Sequence, residues 1–357
     1  MALHFHSLAV KKIKKETQDC ISISFDVPSN LKNEFAFAHG QSLTLRKNFD
    51  GEEIRRSYSI CSSPLDNELL VAIKKVEGGI FSTYATSELK EGDLLDVMPP
   101  SGKFNSPLNK ENKKNYIAFA AGSGITPILS IIKTTLASEP FSFFTLVYGN
   151  RHSNSIIFKE QLQAIKDKYL GRFRLHHILS RERMESEINN GHIDVKKCES
   201  LSKFIDFKNM DEFFICGPEK MIFNVKDFLI SSEIPEKKIH FELFTTPVRK
   251  NLTTTQKKII TSNNKSNITV KLDGRSFDFE LDYDSNNILD AALAVGADLP
   301  FACKGGVCCT CKAKLIEGKI EMEVNYGLEP EEVEAGFILT CQSHPRTDKV
   351  VIDYDVK

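Results

Sequence analysis

The sequence predicts a multidomain protein. An antiparallel β-barrel comes first, then an α/β domain built on a doubly wound parallel sheet, then a small α+β domain. Three observations predict this order. Short strands separated by turn residues fill the amino-terminal part, long apolar strands then alternate with helices, and a cysteine cluster lies in the tail. The length of 357 residues suits about two or three domains.

The amino-terminal part shows the two-residue period of half-buried strands. Residues 20–25 (CISISF) alternate apolar and polar side chains, as do residues 41–45 and part of 70–76. Glycine and proline separate these runs, and one helical stretch covers residues 81–89. Many short strands with turn residues between them predict a small antiparallel barrel.

From residue 116 the pattern becomes that of a parallel sheet. Residues 116–120 form a continuous apolar run, which is typical of a buried parallel strand. Further strands are predicted at 143–148, 173–179 and 213–216, with helices after residue 126, at 156–169 and at 217–230. Thr126 is predicted to cap the helix that follows the first strand, with Pro127 in its first turn.

The last part begins after a segment without periodicity. Residues 248–266 are rich in Thr, Lys and Asn and predict a linker. Residues 268–272 and 276–281 predict a hairpin, and residues 288–295 a helix.

Charge and hydropathy narrow the function classes. A net charge of −1 argues against nucleic-acid binding. Residues 267–357 carry 17 acidic and 9 basic side chains, whereas the rest of the chain has a net charge of +7. This asymmetry indicates either electrostatic docking or surface solvation. Because there is no apolar run of 18 residues and no signal peptide, we expect no membrane span and a cytoplasmic location.

Five of the nine cysteines lie near the carboxyl-terminal end of the sequence. Cys303, Cys308 and Cys311 have C-x4-C-x2-C spacing, and Cys341 follows thirty positions later. This is the spacing of plant-type 2Fe-2S proteins, in which two irons take four thiolates. Gly305 and Gly306 are expected to let backbone N–H groups point at the sulfurs. Zinc is the alternative, although zinc sites usually show two short cysteine pairs. Cys309 lies outside the spacing and is not expected to be a ligand.

Four motifs then occur in order: RSYS at 56–59, GGIFS at 78–82, AGSGITP at 121–127 and CGP at 216–218. Together with segments 299–308 and 339–342 they resemble the ferredoxin–NADP reductase superfamily joined to a plant-type ferredoxin domain. The resemblance implies FAD, NADPH and a 2Fe-2S cluster as cofactors, and an α+β β-grasp fold for the tail. It implies an FAD domain at 1–108, an NADPH domain at 109–247, a linker at 248–266 and a ferredoxin domain at 267–357.

The resemblance also implies roles for the flavin motifs. Arg56 would pair with the flavin nucleotide's phosphates, Tyr58 would pack on the isoalloxazine ring, and Ser59 would hydrogen-bond near the ring nitrogen that receives hydride. The second motif is a glycine turn that leads into a helix, whose free N–H groups suit a pyrophosphate. Its expected cofactor-binding residues are Gly79, Phe81 and Ser82.

In the predicted parallel sheet, Gly122, Gly124 and Thr126 follow the first strand, where a dinucleotide phosphate binds in such folds. Pro127 stands where dehydrogenases carry a third glycine. By resemblance, Ser180 and Arg181 would bind the 2′-phosphate of NADPH, with Arg151 assisting, and we therefore favour NADPH over NADH. Ordinary solvated arginines at strand ends are the alternative.

The CGP motif would lie on the nicotinamide side. By resemblance, Cys216 and Gly217 would lie near the nicotinamide and flavin rings where hydride passes, with Ser59 and Cys216 as the catalytic residues. A cysteine that ends a buried strand is otherwise a small apolar residue. Residues 241–244 are expected to close the flavin edge.

The implied activity is that of an NAD(P)H-dependent oxidoreductase that delivers single electrons to a partner oxygenase. By resemblance this partner is a diiron epoxygenase acting on phenylacetyl-CoA, and another hydroxylase, a desaturase or a ring-hydroxylating dioxygenase is an alternative. A different class of function is a zinc-bound or redox-sensing interaction module.

Overall fold

The computed structural model describes residues 4–244 and 264–356. Most of the predicted linker, 248–263, lies outside these residues. The chain divides into two compact units, one of residues His6–Phe244 and one of Met1–Phe5 with Thr245–Lys357. The finer domain boundaries at 108/109 and 247/248 stay predictions. Among the described residues, no helix combines the length and apolar character that a bilayer crossing needs.

The first unit begins with the predicted antiparallel barrel. Its strands lie in the order β4-β3-β6-β1-β2-β5, and each neighbouring pair is antiparallel. A bridge between Ile60 and Val71 joins the residues after β4 to β5 and closes the sheet. The interior is apolar: Leu8, Ile23 and Leu43 are fully buried. The elements are β1 His6–Thr17, β2 Cys20–Asp26, β3 Ser42–Phe49, β4 Glu52–Ser59, β5 Leu69–Lys74, α1 Ile80–Ser87 and β6 Leu94–Ser101.

A five-stranded parallel sheet follows in the same unit, in the order β11-β10-β7-β8-β9. The strand order reverses between β7 and β10, and ligands of such sheets bind at the carboxyl ends of the strands at this point. The predicted doubly wound sheet is therefore confirmed. The elements are β7 Asn115–Ala121, α2 Ile125–Ser138, β8 Phe143–Asn150, α3 Lys159–Lys168, β9 Phe173–Leu179, α4 Val195–Leu201, β10 Glu212–Cys216, α5 Glu219–Ser231 and β11 Ile239–Glu242.

The predicted cap of α2 is wrong. A short 3-10 turn, Gly122–Gly124, precedes the helix, and Gly124 rather than Thr126 is its N-cap residue. Thr126 lies inside the first turn, and its hydroxyl donates to the carbonyl of Ser123 at 3.0 Å. Gly122 has a φ of +54°, which lets the chain enter this turn and explains why the helix begins earlier than the cap rule indicated.

The second unit is an α+β domain. Its main sheet has the order β13-β12-β18-β14-β16, with β12 and β18 parallel and the other pairs antiparallel. The predicted hairpin and helix are confirmed as β12, β13 and α6. Ile268, Val270 and Ile288 are buried in its core. The elements are β12 Lys265–Leu272, β13 Arg275–Asp282, α6 Ile288–Ala294, β14 Lys312–Glu317, β15 Ile320–Met322, α7 Pro330–Glu334, β16 Phe337–Leu339, β17 Ser343–Pro345 and β18 Lys349–Asp353.

Candidate active site and cluster site

The four predicted ligand cysteines lie together in the second unit. The thiols of Cys303 and Cys308 are 3.1 Å apart. The Cys341 thiol lies within hydrogen-bonding reach of those of Cys303 and Cys311. Among the residues described, no three His, Cys, Asp or Glu side chains form a site for a single metal ion. The thiols make a row of pairwise contacts instead, and four thiolates are what a 2Fe-2S cluster needs.

Backbone and side-chain donors surround these sulfurs. The Gly305 N–H points at the Cys303 sulfur at 3.3 Å, as predicted. Gly306 has a φ of +73°, and a Cβ there would meet the Val324 carbonyl oxygen at 2.9 Å. The Gln342 amide donates to the carbonyl oxygens of Lys304 and Cys341, at 3.1 and 2.8 Å. The loop is therefore held closely around the four sulfurs, and the donor set fits the cluster.

A buried hydroxyl pair supports the ligands from behind. The Thr340 hydroxyl donates to the Cys311 carbonyl at 3.1 Å and lies 2.6 Å from the Tyr354 hydroxyl. Thr340 precedes Cys341, so this one side chain braces the loops of two cysteines. Cys309 lies in the same loop, and the structure places it near Lys312 and Glu332.

The residues of the first flavin motif lie on β4. Arg56 is exposed, and its guanidinium donates to the carbonyl of Arg55 at 2.7 Å, with no acidic partner among the described residues. Its charge is therefore available to a phosphate. The ring of Tyr58 is half-buried and lies 5.8 Å from that of Phe81. Burial raises the pKa of the Tyr58 hydroxyl, which stays protonated.

The second flavin motif opens α1. Gly79 is the N-cap residue of this helix, and its carbonyl accepts the Ser82 hydroxyl at 3.3 Å. The Ser82 hydroxyl also accepts the Val76 N–H, so this side chain holds the turn. Phe81 is buried in the barrel core. The first N–H groups of the helix are the feature that suits a pyrophosphate.

The dinucleotide motif meets the CGP motif at the carboxyl end of the parallel sheet. A Cβ added to Gly124 would lie 2.7 Å from the Gly217 nitrogen and closer still to the Cys216 carbonyl oxygen. A Cβ on Gly217 would lie 3.1 Å from the Ala121 nitrogen. Gly124 therefore requires glycine, because backbone packs directly on backbone there, and Gly217 is closely packed as well. Cys216 is fully buried, and burial raises the pKa of its thiol well above the usual range.

A carboxylate to which the sequence analysis gave no chemistry joins the two predicted catalytic residues. The Ser59 hydroxyl donates to Glu242 at 3.0 Å, across 183 positions of sequence. Glu242 is also the strand partner of Cys216 in the β10–β11 pair. The trio therefore joins the flavin strand to the nicotinamide-side strand. The sequence signal that could have identified Glu242 is an acidic residue that ends an apolar strand in segment 241–244.

Burial raises the pKa of Glu242 to about 7, although the Ser59 hydrogen bond acts in the opposite direction. Folding therefore favours the protonated carboxyl. The stability that Glu242 contributes in its protonated form is lost as the pH rises from about 5 through about 7. One pKa unit corresponds to about 1.4 kcal/mol. The rise of the pKa from 4.5 to about 7 would correspond to about 3.4 kcal/mol in full, but Glu242 is partly exposed and solvent screens its charge. We therefore expect Glu242→Gln to be more stable than the parent by about 2 kcal/mol at pH 8 and by much less at pH 5. Denaturant unfolding at both pH values measures this.

Glu212→Gln is the control with the opposite sign. Burial acts to raise the pKa of the Glu212 carboxyl, but the His240 ring nitrogen at 3.0 Å and the Lys114 ammonium group at 2.8 Å outweigh it and lower the pKa. Its stabilising contribution is present above its unfolded pKa, so Glu212→Gln should be destabilised at both pH values. An equal effect of Glu242→Gln at pH 5 and pH 8 would contradict the titration of Glu242.

Two exposed arginines lie at the ends of neighbouring strands. Arg151 follows β8 and Arg181 follows β9, and the Arg181 N–H donates to the Arg151 carbonyl at 2.9 Å. Neither side chain has an acidic partner among the described residues. The Ser180 hydroxyl lies beside them, 3.4 Å from the Asn150 carbonyl. This edge offers two guanidinium groups and a hydroxyl to an anion.

Comparison with known proteins agrees with this layout. Three family models match successive segments: an oxidoreductase FAD-binding domain at 7–106, an oxidoreductase NAD-binding domain at 119–227 and a 2Fe-2S iron-sulfur cluster binding domain at 270–346. The FAD, nicotinamide nucleotide and 2Fe-2S predictions are therefore confirmed. The zinc alternative for the four thiols is set aside.

Two relatives match almost the whole chain. Over 354 residues the chain is 48% identical to one of the subunits of the 1,2-phenylacetyl-CoA epoxidase of Escherichia coli, covering 99% of this chain and 98% of the relative. It is 33% identical to the ferredoxin reductase component of 3-ketosteroid-9-alpha-monooxygenase of Rhodococcus rhodochrous, covering 97% and 96%.

The fold is also similar to a solved structure. Phthalate dioxygenase reductase matches with a TM-score of 0.57 and 23% identity over 98% of each chain. This likeness confirms the predicted fold classes in their order along the chain.

Proposed function

The chain belongs to the family of oxygenase reductase components that combine FAD-binding, NAD-binding and 2Fe-2S domains, and from this premise we propose a specific electron path. FAD would accept hydride from NADPH, and a cluster held by Cys303, Cys308, Cys311 and Cys341 would pass single electrons to a diiron oxygenase. The observation that carries the proposal is the convergence of these four thiols in a chain that also brings Ser59, Glu242 and Cys216 together.

When bound, FAD takes two electrons as hydride, and a 2Fe-2S cluster passes them on singly. The residues of the chain would align the nicotinamide with the flavin and provide a group that accepts a proton. Gly124 and Gly217 let backbone approach backbone at the place where the nicotinamide would bind. The hydrogen that arrives with the two electrons must leave as a proton when they leave. The Ser59 hydroxyl and the Glu242 carboxyl, whose pKa is about 7, provide an acceptor path at neutral pH.

Arg56, Tyr58 and the amino-terminal end of α1 are proposed to hold FAD. The exposed guanidinium of Arg56 suits the pyrophosphate, and the Tyr58 ring, supported by Phe81, offers a flat surface to the isoalloxazine. A visible spectrum followed during anaerobic titration with NADPH and then NADH tests the electron path. A protein without flavin and iron absorption after reconstitution would refute it.

The preference for NADPH rests on the arginine pair at 151 and 181. A 2′-phosphate would find two exposed guanidinium groups and the Ser180 hydroxyl at one sheet edge. A hydrogen bond to a charged group contributes about 1.5–3 kcal/mol. We therefore expect Arg181→Ala to raise the KM for NADPH by about 10- to 100-fold and to leave the KM for NADH nearly unchanged. Steady-state reduction of an artificial acceptor with each nucleotide measures this.

Lys203→Ala is the matched control, because Lys203 is an exposed cation in the segment between α4 and β10, away in sequence from the ends of β8 and β9. Its KM values should equal those of the parent. An equal rise in the KM for NADPH and the KM for NADH in Arg181→Ala would place Arg181 outside the 2′-phosphate site.

The proposed partner is a diiron epoxygenase that acts on phenylacetyl-CoA. The relative that is 48% identical carries that substrate in its name, and the one that is 33% identical serves a steroid monooxygenase. Reduction of a purified phenylacetyl-CoA epoxygenase by this protein and NADPH, compared with a ring-hydroxylating dioxygenase, tests the choice. We also propose a cytoplasmic location, because all nine cysteines are unpaired, as in a reducing compartment.

A further inference from the structure

A set of polar contacts joins helix α2 to the loop that follows β4. Ser130, Lys133 and Thr134 lie at positions i, i+3 and i+4 of α2, so they share one face of this helix. We call this set the α2 clamp; its contacts are Ser130 to the Ser62 carbonyl at 2.6 Å, Thr134 to the Ser63 hydroxyl at 3.0 Å and the Lys133 ammonium to the Asp66 carboxylate.

The loop side of the α2 clamp is held in one conformation. The Ser63 hydroxyl accepts the Leu65 N–H at 3.2 Å, and the Asp66 carboxylate accepts the Ser63 N–H at 2.7 Å, which is a capping box. The Ser62 hydroxyl donates to the Glu68 carbonyl at 2.6 Å. The loop groups that α2 contacts are therefore also held by hydrogen bonds within the loop itself.

The contacts are shielded from water. Ser130 is fully buried, and Thr134 is 6% exposed. A buried donor that loses its partner costs more than the net value of its hydrogen bond. This applies most strongly to Ser130, because the Thr134 hydroxyl also lies 2.7 Å from the Ser130 carbonyl within the helix. Around the α2 clamp, one apolar cluster contains residues of both halves of the unit, such as Cys61 of the barrel and Ile128 and Leu129 of α2. Helix α2 and the loop after β4 therefore fit together in one favourable arrangement.

Each end of the α2 clamp leads directly to the active site. Three residues before Ser62 lies Ser59, which hydrogen-bonds to Glu242. Six residues before Ser130 lies Gly124, which packs on the Cys216 backbone. Helix α2 thus begins at the predicted dinucleotide-binding turn, and its middle contacts the loop that follows β4.

We infer that the α2 clamp sets the distance between the hydride donor and the hydride acceptor, with Ser130 and Thr134 as its positioning residues. This inference rests on the proposed function. Hydride transfer needs reacting atoms about 3–3.5 Å apart, and a misplacement of about 1 Å costs about 100-fold in rate. Loss of the α2 clamp slows the transfer step and leaves each cofactor's own site intact.

The test uses the full-length protein loaded with FAD and cluster. Ser130→Ala combined with Thr134→Val removes both hydroxyls, whereas Thr134→Ser keeps the second one. Single-turnover flavin reduction by NADPH gives a limiting rate and a nucleotide dissociation constant. We expect the double variant to lose about tenfold or more in limiting rate while the dissociation constant stays within about twofold. The isotope effect with NADPH deuterated at the transferred hydrogen should change in this variant, and Thr134→Ser should behave like the parent.

Ser142→Ala is the matched control. Its hydroxyl is fully buried and donates to Glu139 at 2.7 Å, but this contact lies within the parallel-sheet half. We expect it to lower the melting temperature and to leave the limiting rate unchanged.

A double variant that melts early but keeps the parent's limiting rate and isotope effect would overturn the inference. If the double variant does not fold, Lys133→Met, which removes only the ion pair, replaces it. A parent protein whose flavin neither nucleotide reduces would instead refute the proposed function.

Discussion

Cys308→Ser is expected to abolish electron delivery to an oxygenase while leaving the flavin half active. The Cys308 thiol lies 3.1 Å from that of Cys303, inside the row of four sulfurs. A serine hydroxyl stays protonated at neutral pH and is a poor iron ligand, so the cluster should not assemble. Loss of an outer-shell partner alone typically costs about 10- to 100-fold in metal affinity or activity, so loss of a ligand should cost more than about 100-fold.

The measurement has three parts: iron content, reduction of ferricyanide, which takes electrons from flavin directly, and reduction of the partner oxygenase. Iron content and reduction of the partner oxygenase should fall, whereas reduction of ferricyanide should not. Cys309→Ser is the control, because it changes the neighbouring cysteine, outside the C-x4-C-x2-C spacing. We expect it to keep iron and activity. If Cys308→Ser and Cys309→Ser lose iron equally, the ligand assignment is wrong.

Gly124→Ala should have the second large effect. Its added Cβ would meet the Cys216 carbonyl and lie 2.7 Å from the Gly217 nitrogen, and neither backbone can move without shifting β10. Overpacking typically costs about 1–3 kcal/mol and sometimes more. A shift of about 1 Å at the nicotinamide side would slow flavin reduction by about 100-fold. Stopped-flow flavin reduction and thermal unfolding measure the two effects.

Gly171→Ala is the matched control for that substitution. Gly171 lies between α3 and β9, and nothing lies within 4 Å of an added Cβ. We expect this variant to keep the parent's rate and stability or to gain slightly, because alanine narrows the unfolded ensemble. A fast, stable Gly124→Ala protein would show that the close approach of α2 to the CGP motif is not required.

The sequence predicted what depends on local patterns. The apolar run at 116–120 appears as β7, since continuous apolar side chains have few alternatives to a buried parallel strand. The strand predicted at 173–179 appears as β9, although it also carries Arg174 and two histidines. Cysteine spacing likewise indicated the cluster, because three of the predicted ligands come from one loop. The short strands β15, β16 and β17 have three residues each, too few to show a period.

Contacts between distant residues could not be predicted. The partner of Ser59 is 183 positions away, and no local pattern connects it to Glu242. The hydroxyls of Ser130 and Thr134 likewise fit an ordinary helix until the loop at 62–66 is placed against them. Thr126 shows the reverse case, in which a valid capping rule failed because the preceding 3-10 turn took the cap position.

The place of β18 in its sheet affects how the protein is made. This strand is the latest of its sheet in the chain, yet it lies between β12 and β14. During synthesis, residues 6–244 form the earlier unit, and the second unit lacks its central strand until the end of the chain is made. The pairing of β12 with β18 spans about 80 residues, a separation that slows folding. We therefore expect the sheet of the second unit to be completed only after residues 349–353 have left the ribosome.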